Sequence, residues 1–281
     1  MTSSPPSPDL VPRWHHAASV LGVAVDPEAE LRGEVVGRTV GGPVSFKGVP
    51  AWLRLNSAPR PGGKRWEGPG LTDVLLDEVI PRPAPLGEHS WTEESPEQAF
   101  QAQLWERLKG QALSESPYLT APVPVSDRWW RELRNGVDRL RETPTSLGRQ
   151  VMTQEFIDRI PRFIPELAGR DLTVPKWETA HGDLHWANLT SDPLEIIDWE
   201  GWVLAPAGYD AAVLHAYAIP RPEAAEKVHT AFADLLNTPS GRLAELVIAA
   251  EIIQAAERDT VHKRLEPDVR QHLTNLLDRH H

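Results

Sequence analysis

A polar cluster occupies the segment TAHGDLHWANLTSDPLEIIDWEGW, residues 179–202. The side chains in it that could do chemistry are Asp183, His185, Asn188 and Asp198. The last of these acids follows an apolar run, and an ionised carboxylate beside buried aliphatic residues is costly unless a positive charge pairs with it. No Lys or Arg lies between Lys176 and Arg221, so the local sequence supplies no partner. A cation from solution would supply one.

Two simple interpretations explain only part of this cluster. In a plain turn, Asn and Asp side chains bond their own backbone, but a turn does not account for Asp198. A transition-metal site could use His181, Asp183 and His185, with Asp198 or His215 completing the shell of zinc or iron, as in a metal hydrolase. The alternate spacing of the first three ligands requires a strand, and Gly182 is unfavourable inside one.

A phosphoryl-transfer set is the third interpretation. Asp183 would accept the proton of an attacking hydroxyl, while Asn188, five residues later, and Asp198 would hold Mg²⁺ against nucleotide phosphates. This spacing matches an H-x-D-x-x-x-x-N catalytic loop followed by a metal-binding Asp. Amide and carboxylate oxygens are the ligands that Mg²⁺ prefers.

The motifs HGDLHWAN and IIDWE, in this order and at this separation, resemble the aminoglycoside phosphotransferase family and the choline-kinase-like branch of the protein-kinase fold. The resemblance extends over residues 177–218. It implies an α+β, protein-kinase-like two-lobed fold, with a small strand-rich N-terminal lobe and a larger helical C-terminal lobe. It also implies an ATP- and Mg²⁺-dependent transfer of phosphate to a hydroxyl group.

The resemblance further implies roles for individual residues. Asp183 would be the catalytic base or hydroxyl-orienting carboxylate, and Asn188 and Asp198 the Mg²⁺ ligands. Asp210, in GYDAAVLHAY, would steady the catalytic loop through backbone hydrogen bonds, and His181 would brace it. The remaining side chains have two interpretations each: His185 braces the loop or contacts substrate, Glu200 is structural or contacts a cationic substrate, and Trp199 and Trp202 belong to the core or stack on a ligand.

The N-terminal lobe departs from the family pattern. GRTVGG, residues 37–42, could form the glycine-containing hairpin over the phosphates. The strand position expected to hold a phosphate-binding lysine holds Arg54, whose guanidinium can also fork onto phosphate oxygens. Lys47 is the alternative cation. The acid that would position it is Glu67, expected in a loop, or Glu106, expected in a helix.

Local patterns predict the elements that carry these residues. Strands are expected at GEVVGRTV, PVSF, AWLRL and LEIIDWE, with tight turns at Gly41-Gly42 and Lys47-Gly48 and a loop over residues 58–70. A helix is expected from Pro96, because Phe100, Leu104 and Leu108 recur every four residues. Ser126 caps the first of the helices that follow. We therefore expect an N-terminal lobe over residues 1–124, with residues 1–12 disordered, and a C-terminal lobe over residues 125–281 that carries the catalytic loop, 181–188.

Composition narrows the class of protein. The net charge of −11 argues against a nucleic-acid partner, and no apolar run is long enough to suggest a membrane span. No basic, apolar secretory signal is recognisable, so a cytoplasmic location is expected; with no cysteine, thiolate sites are excluded. The predicted partners are a nucleotide and a small hydroxyl-bearing acceptor such as an aminoglycoside or amino alcohol. A nucleotide-binding pseudoenzyme and a kinase of peptide hydroxyls are the alternatives.

Overall fold

The computed structural model describes residues 9–33, 37–76, 78–94, 97–144 and 148–278. They fall into two compact units, one within residues 1–76 and 82–109, the other within residues 77–81 and 110–281. Residues 110–124, assigned to the N-terminal lobe from the sequence, lie in the second unit. None of the helices in these ranges is long and apolar enough to cross a lipid bilayer.

In its described residues, the first unit consists of an antiparallel sheet and two helices. The helices are α1 (Leu10–Val20) and α2 (Lys64–Leu75). The strands are β1 (Ala24–Val25), β2 (Arg32–Gly33), β3 (Thr39–Phe46), β4 (Val49–Ala58), β5 (Pro85–Glu94) and β6 (Glu97–Glu106). Their order is β1-β3-β4-β6-β5, and β2 pairs with β3.

Helix α1 covers one face of this sheet. The indole of Trp14 is fully buried, and its Nε1 donates to the carbonyl oxygen of Leu53 at 2.9 Å. The core beneath it is made of alternate residues of β4 and β6, among them Leu55 and Phe100. The expectation of disorder over residues 1–12 is wrong for residues 10–12, which begin α1; residues 1–8 lie outside the described ranges.

The helix expected from Pro96 is wrong, because residues 97–106 form strand β6. Phe100, Ala102 and Leu104 alternate with Gln101 and Gln103, a period of two that places the apolar side chains on the core face. The four-residue spacing that suggested a helix is contained in this alternation. Pro96 itself lies outside the described residues.

The turn expected at Gly41-Gly42 is also wrong, since both glycines lie inside β3. A Cβ at Gly41 would come within 2.8 Å of Nε1 of Trp52, so glycine there allows an indole to pack on the strand. The β3–β4 turn is at Lys47-Gly48, as expected, and both residues have positive φ. Thr39–Gly42 form the second arm of an antiparallel hairpin, in which Arg32 pairs with Gly41 and Gly33 with Val40. Its connecting residues 34–36 lie outside the described ranges, so the glycine hairpin over the phosphates stays a prediction.

The loop expected over residues 58–70 is helical from Lys64 onward. Glu67 consequently lies in the first turn of α2 and not in a loop, and Glu106 lies at the end of β6 and not in a helix. The two expected settings for the acid that positions a phosphate-binding cation are thus both wrong. The single strand expected at GEVVGRTV is wrong, because Gly33 ends β2 and pairs antiparallel with Val40 of β3. Residues 34–36 between these strands lie outside the described ranges.

The second unit is mostly helical where it is described. Its helices are α3 (Asp127–Glu142), α4 (Gln154–Ile157), α5 (Tyr209–Ala216), α6 (Pro222–Ala231), α7 (Ala233–Leu236), α8 (Pro239–Ala256) and α9 (Thr260–Asp278). Two short strands, β7 (Trp177–Ala180) and β8 (Val203–Pro206), pair antiparallel. Single 3₁₀ turns occur at Trp186–Asn188 and Trp199–Gly201.

The predicted start of α3 is confirmed, and one predicted strand of the second unit is wrong. The hydroxyl of Ser126 accepts the backbone N–H of Trp129 at 3.2 Å, so the expected helix cap is confirmed. LEIIDWE was expected to be a strand, but only Ile196 makes a bridge, to Leu189, and the chain then turns at Asp198. The strand that pairs there, β8, starts a few residues later.

Candidate active site

The HGDLHWAN and IIDWE motifs lie between two paired strands. Ala180, the last residue of β7, pairs with Val203, the first residue of β8. The 22 residues between them therefore leave and return at the same point of the second unit. This pairing brings together two motifs that are separated by seven residues in sequence.

Asp210 holds the start of the loop. Its Oδ2 accepts the backbone N–H of His181 at 2.7 Å, and its Oδ1 accepts that of Gly182 at 3.0 Å. Asp210 is buried in the first turn of α5, and burial raises the pKa of its carboxyl while the two backbone donors favour the ionised form. The backbone bonds inferred for Asp210 from the family resemblance are thus present.

His181 connects the loop to the second motif. It is fully buried, and its Nε2 lies 3.0 Å from the carbonyl oxygen of Ile197. Because a carbonyl can only accept, this contact assigns the hydrogen to Nε2. The indole of Trp199 packs edge-on against the imidazole with ring centroids 4.7 Å apart. Both rings are buried, so they brace the loop and are not exposed to a ligand.

The Asp183 carboxylate points outward from this braced loop, with 55 % of the side chain exposed. Its backbone carbonyl is engaged twice, by the N–H of His185 and by Nδ2 of Asn188, each at 2.9 Å. These bonds close the loop beneath the carboxylate, which therefore faces solvent and not the core. Nε2 of His185 lies 3.6 Å from Oδ2 of Asp183, and burial lowers the pKa of this imidazole.

Asn188 lies next to the segment that leads to Asp198. The backbone N–H of Ile197 donates to the carbonyl oxygen of Asn188 at 3.0 Å. Because Nδ2 of Asn188 is engaged by Asp183, the atom left to accept a bond or a metal is Oδ1. Asp198 then adopts the left-handed conformation, with φ 67° and ψ 52°. Asp183, Asn188 and Asp198 are thus carried by segments that hydrogen-bond to each other.

The metal-hydrolase interpretation does not match this arrangement. Gly182 has φ 81°, so the segment is a turned loop and not the strand that alternate ligands require. Nε2 of His181 is already engaged by a backbone carbonyl. Across the described part of the chain, His181, Asp183 and His185 belong to no group whose ligand atoms converge, and His215 pairs with Glu245.

Sequence reasoning missed a second group of polar side chains near Asp183. Oε2 of Glu251 accepts the hydroxyl of Tyr209 at 3.0 Å, and burial raises the pKa of Glu251 to about 7. The hydroxyl of Tyr217 lies 2.9 Å from Nε2 of His262. The Asp183 charge contributes to the raised pKa of Tyr209, Tyr217 and Glu251, so all three lie within its electrostatic range. An acid inside the apolar run LVIAAEIIQAA was the available signal.

The candidate phosphate-binding cations lie on different kinds of element in the first unit. Arg54 is part-buried on β4, where its register partners are Gly41 on β3 and Gln103 on β6. Lys47 is exposed in the β3–β4 turn, and its ammonium lies 4.8 Å from the centre of the Phe46 ring. A strand position fixes a side chain more firmly than a turn, so the two cations differ in how well they are oriented.

Comparison with known proteins identifies the family. The model of the phosphotransferase enzyme family matches residues 86–246, more than half of the chain, and includes both motifs. No curated protein sequence matches. Among solved structures, the chain is similar to aminoglycoside phosphotransferase APH(4)-Ia in complex with ADP and hygromycin B, at TM-score 0.65 and 15 % identity, over 91 % of this chain and 97 % of that one.

Two further structures have the same fold at low identity. Spectinomycin phosphotransferase APH(9)-Ia, in complex with ADP and spectinomycin, aligns at TM-score 0.57 and 11 % identity over 91 % and 92 % of the two chains. The microcompartment-associated aminopropanol kinase aligns at TM-score 0.52 and 14 % identity over 91 % and 94 %. The predicted α+β, protein-kinase-like fold is confirmed. The chain belongs to the phosphotransferase enzyme family.

Proposed function

We propose that the chain transfers the γ-phosphoryl group of ATP, with Mg²⁺, to a hydroxyl of a small cationic molecule such as an aminoglycoside or amino alcohol. The observation that carries the proposal is the exposed Asp183 carboxylate, held above a loop whose backbone is hydrogen-bonded to Asp210 and to the Asp198 segment. Such a loop presents a carboxylate in a fixed direction, which is what catalysis by positioning requires.

Asp183 orients the acceptor hydroxyl and receives its proton. As that proton leaves, the hydroxyl oxygen bonds to the γ-phosphorus and the bond from phosphorus to the ADP oxygen breaks. Burial favours the neutral imidazole at His185, so this residue does not neutralise the Asp183 carboxylate beside it. General-base catalysis of this kind is worth about 10²–10⁴-fold in rate.

Asn188 and Asp198 fit a hard divalent cation. Asn188 has its Oδ1 available because its Nδ2 is engaged, and Asp198 supplies a carboxylate from the adjoining segment. Oxygen donors from an amide and a carboxylate suit Mg²⁺. When bound, Mg²⁺ would neutralise charge on the nucleotide phosphates. The backbone hydrogen bond between Asn188 and Ile197 holds the two donor segments in register before any nucleotide arrives.

Arg54 is the proposed phosphate-binding cation, with Lys47 as the alternative. Arg54 lies within a ladder that is paired on both sides, so its Cα is fixed. A guanidinium keeps its charge and can bind two phosphate oxygens at once. The turn position of Lys47 offers no comparable restraint.

The acids and phenols near Asp183 favour a cationic acceptor. Glu251 is largely buried and can accept a proton or an ammonium group near neutral pH, because its pKa is about 7. Tyr209 and Tyr217 supply hydroxyls, and His262 adds an imidazole. The similar proteins bind hygromycin B and spectinomycin, or act as an aminopropanol kinase, and we extend that substrate class to this chain.

ADP release tests the proposal. The purified chain is incubated with ATP, Mg²⁺ and a panel of aminoglycosides, amino alcohols and neutral sugars. We expect acceptor-dependent ADP with at least one amine, and a fall of about 10³-fold in Asp183→Asn. Asp268→Asn, an exposed acid on α9, is the matched control and should leave the rate unchanged.

Arg54 at the lysine position also favours a second candidate, a nucleotide-binding pseudoenzyme. Thermal shift with ATP and Mg²⁺ separates the two. Nucleotide binding without turnover of any amine, sugar or peptide hydroxyl would support the pseudoenzyme. Turnover of peptides alone would support the peptide-kinase alternative.

A further inference from the structure

A second group of ligand-type side chains lies in the helical unit. His215 on α5, Glu245 on α8 and His272 on α9 place one ligand atom each within 4.8 Å of the others. Oε1 of Glu245 is 3.0 Å from Nδ1 of His215 and 3.3 Å from Nε2 of His272. The two imidazole rings meet edge to face, with centroids 5.0 Å apart. Three helices thus converge on one carboxylate oxygen.

The separations suit a small metal ion. Zn²⁺ binds imidazole nitrogen and carboxylate oxygen at about 2.0–2.1 Å, which sets neighbouring ligands of a tetrahedral site at roughly 3.3 Å. Both measured contacts to Glu245 are close to this value. Two neutral imidazoles and one carboxylate form a borderline-soft donor set, which favours Zn²⁺ over Mg²⁺ or Ca²⁺.

Burial gives the cluster a reason to bind a cation. The side chains of His215 and Glu245 are 8 % and 7 % exposed. An ionised carboxylate so placed is costly unless a positive charge is near it. Its recorded partners are two imidazoles, which carry charge only when protonated. A divalent ion held between the three side chains would compensate the charge of this carboxylate.

The cluster is separate from the catalytic loop. Asp210, which holds that loop, and His215 are five residues apart on α5, so their side chains point about 140° apart around the helix axis. His272 is 26 % exposed, which opens one side of the cluster to water. Water entering on that side would take the fourth position of a tetrahedral site. His229 on α6 has its ring 5.9 Å from that of His215 but lies outside the converging set.

We propose that His215, Glu245 and His272 form a Zn²⁺ site that ties α9 to α5 and α8. This site does not depend on the proposed function, since none of its three ligands is among the residues assigned to phosphoryl transfer. A metal that binds the folded state and not the unfolded chain raises stability by mass action. We therefore expect Zn²⁺ to stabilise the protein and a chelator to reverse the effect.

The test uses the Asp198→Asn protein, in which the proposed Mg²⁺ position has lost its carboxylate and competes less for Zn²⁺. After EDTA treatment and gel filtration it is loaded with Zn²⁺, and metal content is measured by mass spectrometry. Co²⁺ loading is followed through the visible absorption of tetrahedral cobalt. We expect about one metal per chain and a melting temperature several degrees above the metal-free protein, since 1 kcal/mol shifts a domain of this size by about 2–4 °C.

Three variants decide the ligand set. Glu245→Gln keeps hydrogen bonds to both imidazoles but loses the charge, and His272→Gln changes a partly exposed residue; both should fold and lose Zn²⁺. His229→Gln, the matched control beside the cluster, should keep one Zn²⁺ per chain. Absence of saturable Zn²⁺ binding would overturn the proposal and leave a hydrogen-bonded triad. Equal loss of metal in His229→Gln and His272→Gln would overturn the three-ligand set.

Discussion

The backbone nitrogen of His181 lies 2.7 Å from Oδ2 of Asp210. The neighbouring N–H, of Gly182, binds the other oxygen of the same carboxylate. In Asp210→Asn one of these donors would face an amide NH₂ and lose its bond. We expect unfolding free energy to fall by about 1–3 kcal/mol and kcat by about tenfold or more. Urea unfolding and ADP release measure the two effects, and unchanged kcat would show that the loop does not need this support.

Asp198→Asn separates metal binding from the chemistry at Asp183. Loss of one carboxylate charge should raise the Mg²⁺ concentration for half-maximal rate by about tenfold or more. Initial rates over a Mg²⁺ series measure this change. Asp183→Asn should instead leave the Mg²⁺ dependence of nucleotide binding unchanged, as read by thermal shift. An identical response of both variants would argue against the assigned roles.

Glu251→Gln tests the raised pKa of this carboxyl. A group with a pKa of about 7 in the folded state and about 4.5 unfolded binds more protons when folded. Unfolding free energy therefore falls as pH rises from about 4.5 to 7 and stays lower above it. The glutamine variant should be more stable than the parent by about 1–3 kcal/mol at pH 8 and equal to it at pH 4. Unfolding in guanidinium chloride at both pH values measures the difference in stability between the two proteins.

Arg141 and Glu178 form the buried ion pair that packs α3 against β7. Nε of Arg141 is 2.6 Å from Oε1 of Glu178, whose side chain is 4 % exposed. Arg141→Met leaves the Glu178 carboxylate buried without its guanidinium partner. We therefore expect the free energy of unfolding to fall by about 3–5 kcal/mol. Arg139→Met, on the same helix and paired with Glu142 at the surface, is the control and should cost below about 1 kcal/mol. Equal losses would contradict the buried-pair argument.

Arg54→Gln and Lys47→Gln distinguish the two candidate phosphate cations. If Arg54 binds phosphate, its loss should raise the KM for ATP by about tenfold, equivalent to 1.4 kcal/mol. Lys47→Gln should change that KM by less than about threefold, and Arg54→Lys should restore part of the affinity. Steady-state kinetics at saturating acceptor provide the measurement. The reverse order of effects would assign the role to Lys47.

The family could be recognised from the sequence because the motifs that identify it are local. The spacing of the polar residues is set within HGDLHWAN and IIDWE, and Asp210 follows in the next helix. One continuous segment therefore contains all the residues on which the prediction depends. The helix α3 was predictable for the same reason, since its cap at Ser126 and its buried face are set within one segment. Local patterns of this kind do not depend on the rest of the fold.

The N-terminal unit was harder because its pattern is set by pairing partners. Phe100 and Leu104 are four residues apart, a spacing that is compatible with both a helix and a strand. The segment forms a strand because it pairs with β4. Gly41 was predicted to be a turn residue because the contact that requires glycine there is with Trp52, which lies on another strand. The pairing of Glu178 with Arg141 likewise spans 37 residues and left no mark in the local sequence.

The backbone of Asp198 sets thermostability against the proposed Mg²⁺ binding at a single residue. Among the described residues, only Lys47 and Asp198 are non-glycine residues with positive φ. A left-handed residue with a Cβ costs about 1 kcal/mol, which glycine would avoid. Selection of this chain for heat resistance alone would therefore drift toward Asp198→Gly, and each such gain would remove a carboxylate from the position proposed to receive Mg²⁺.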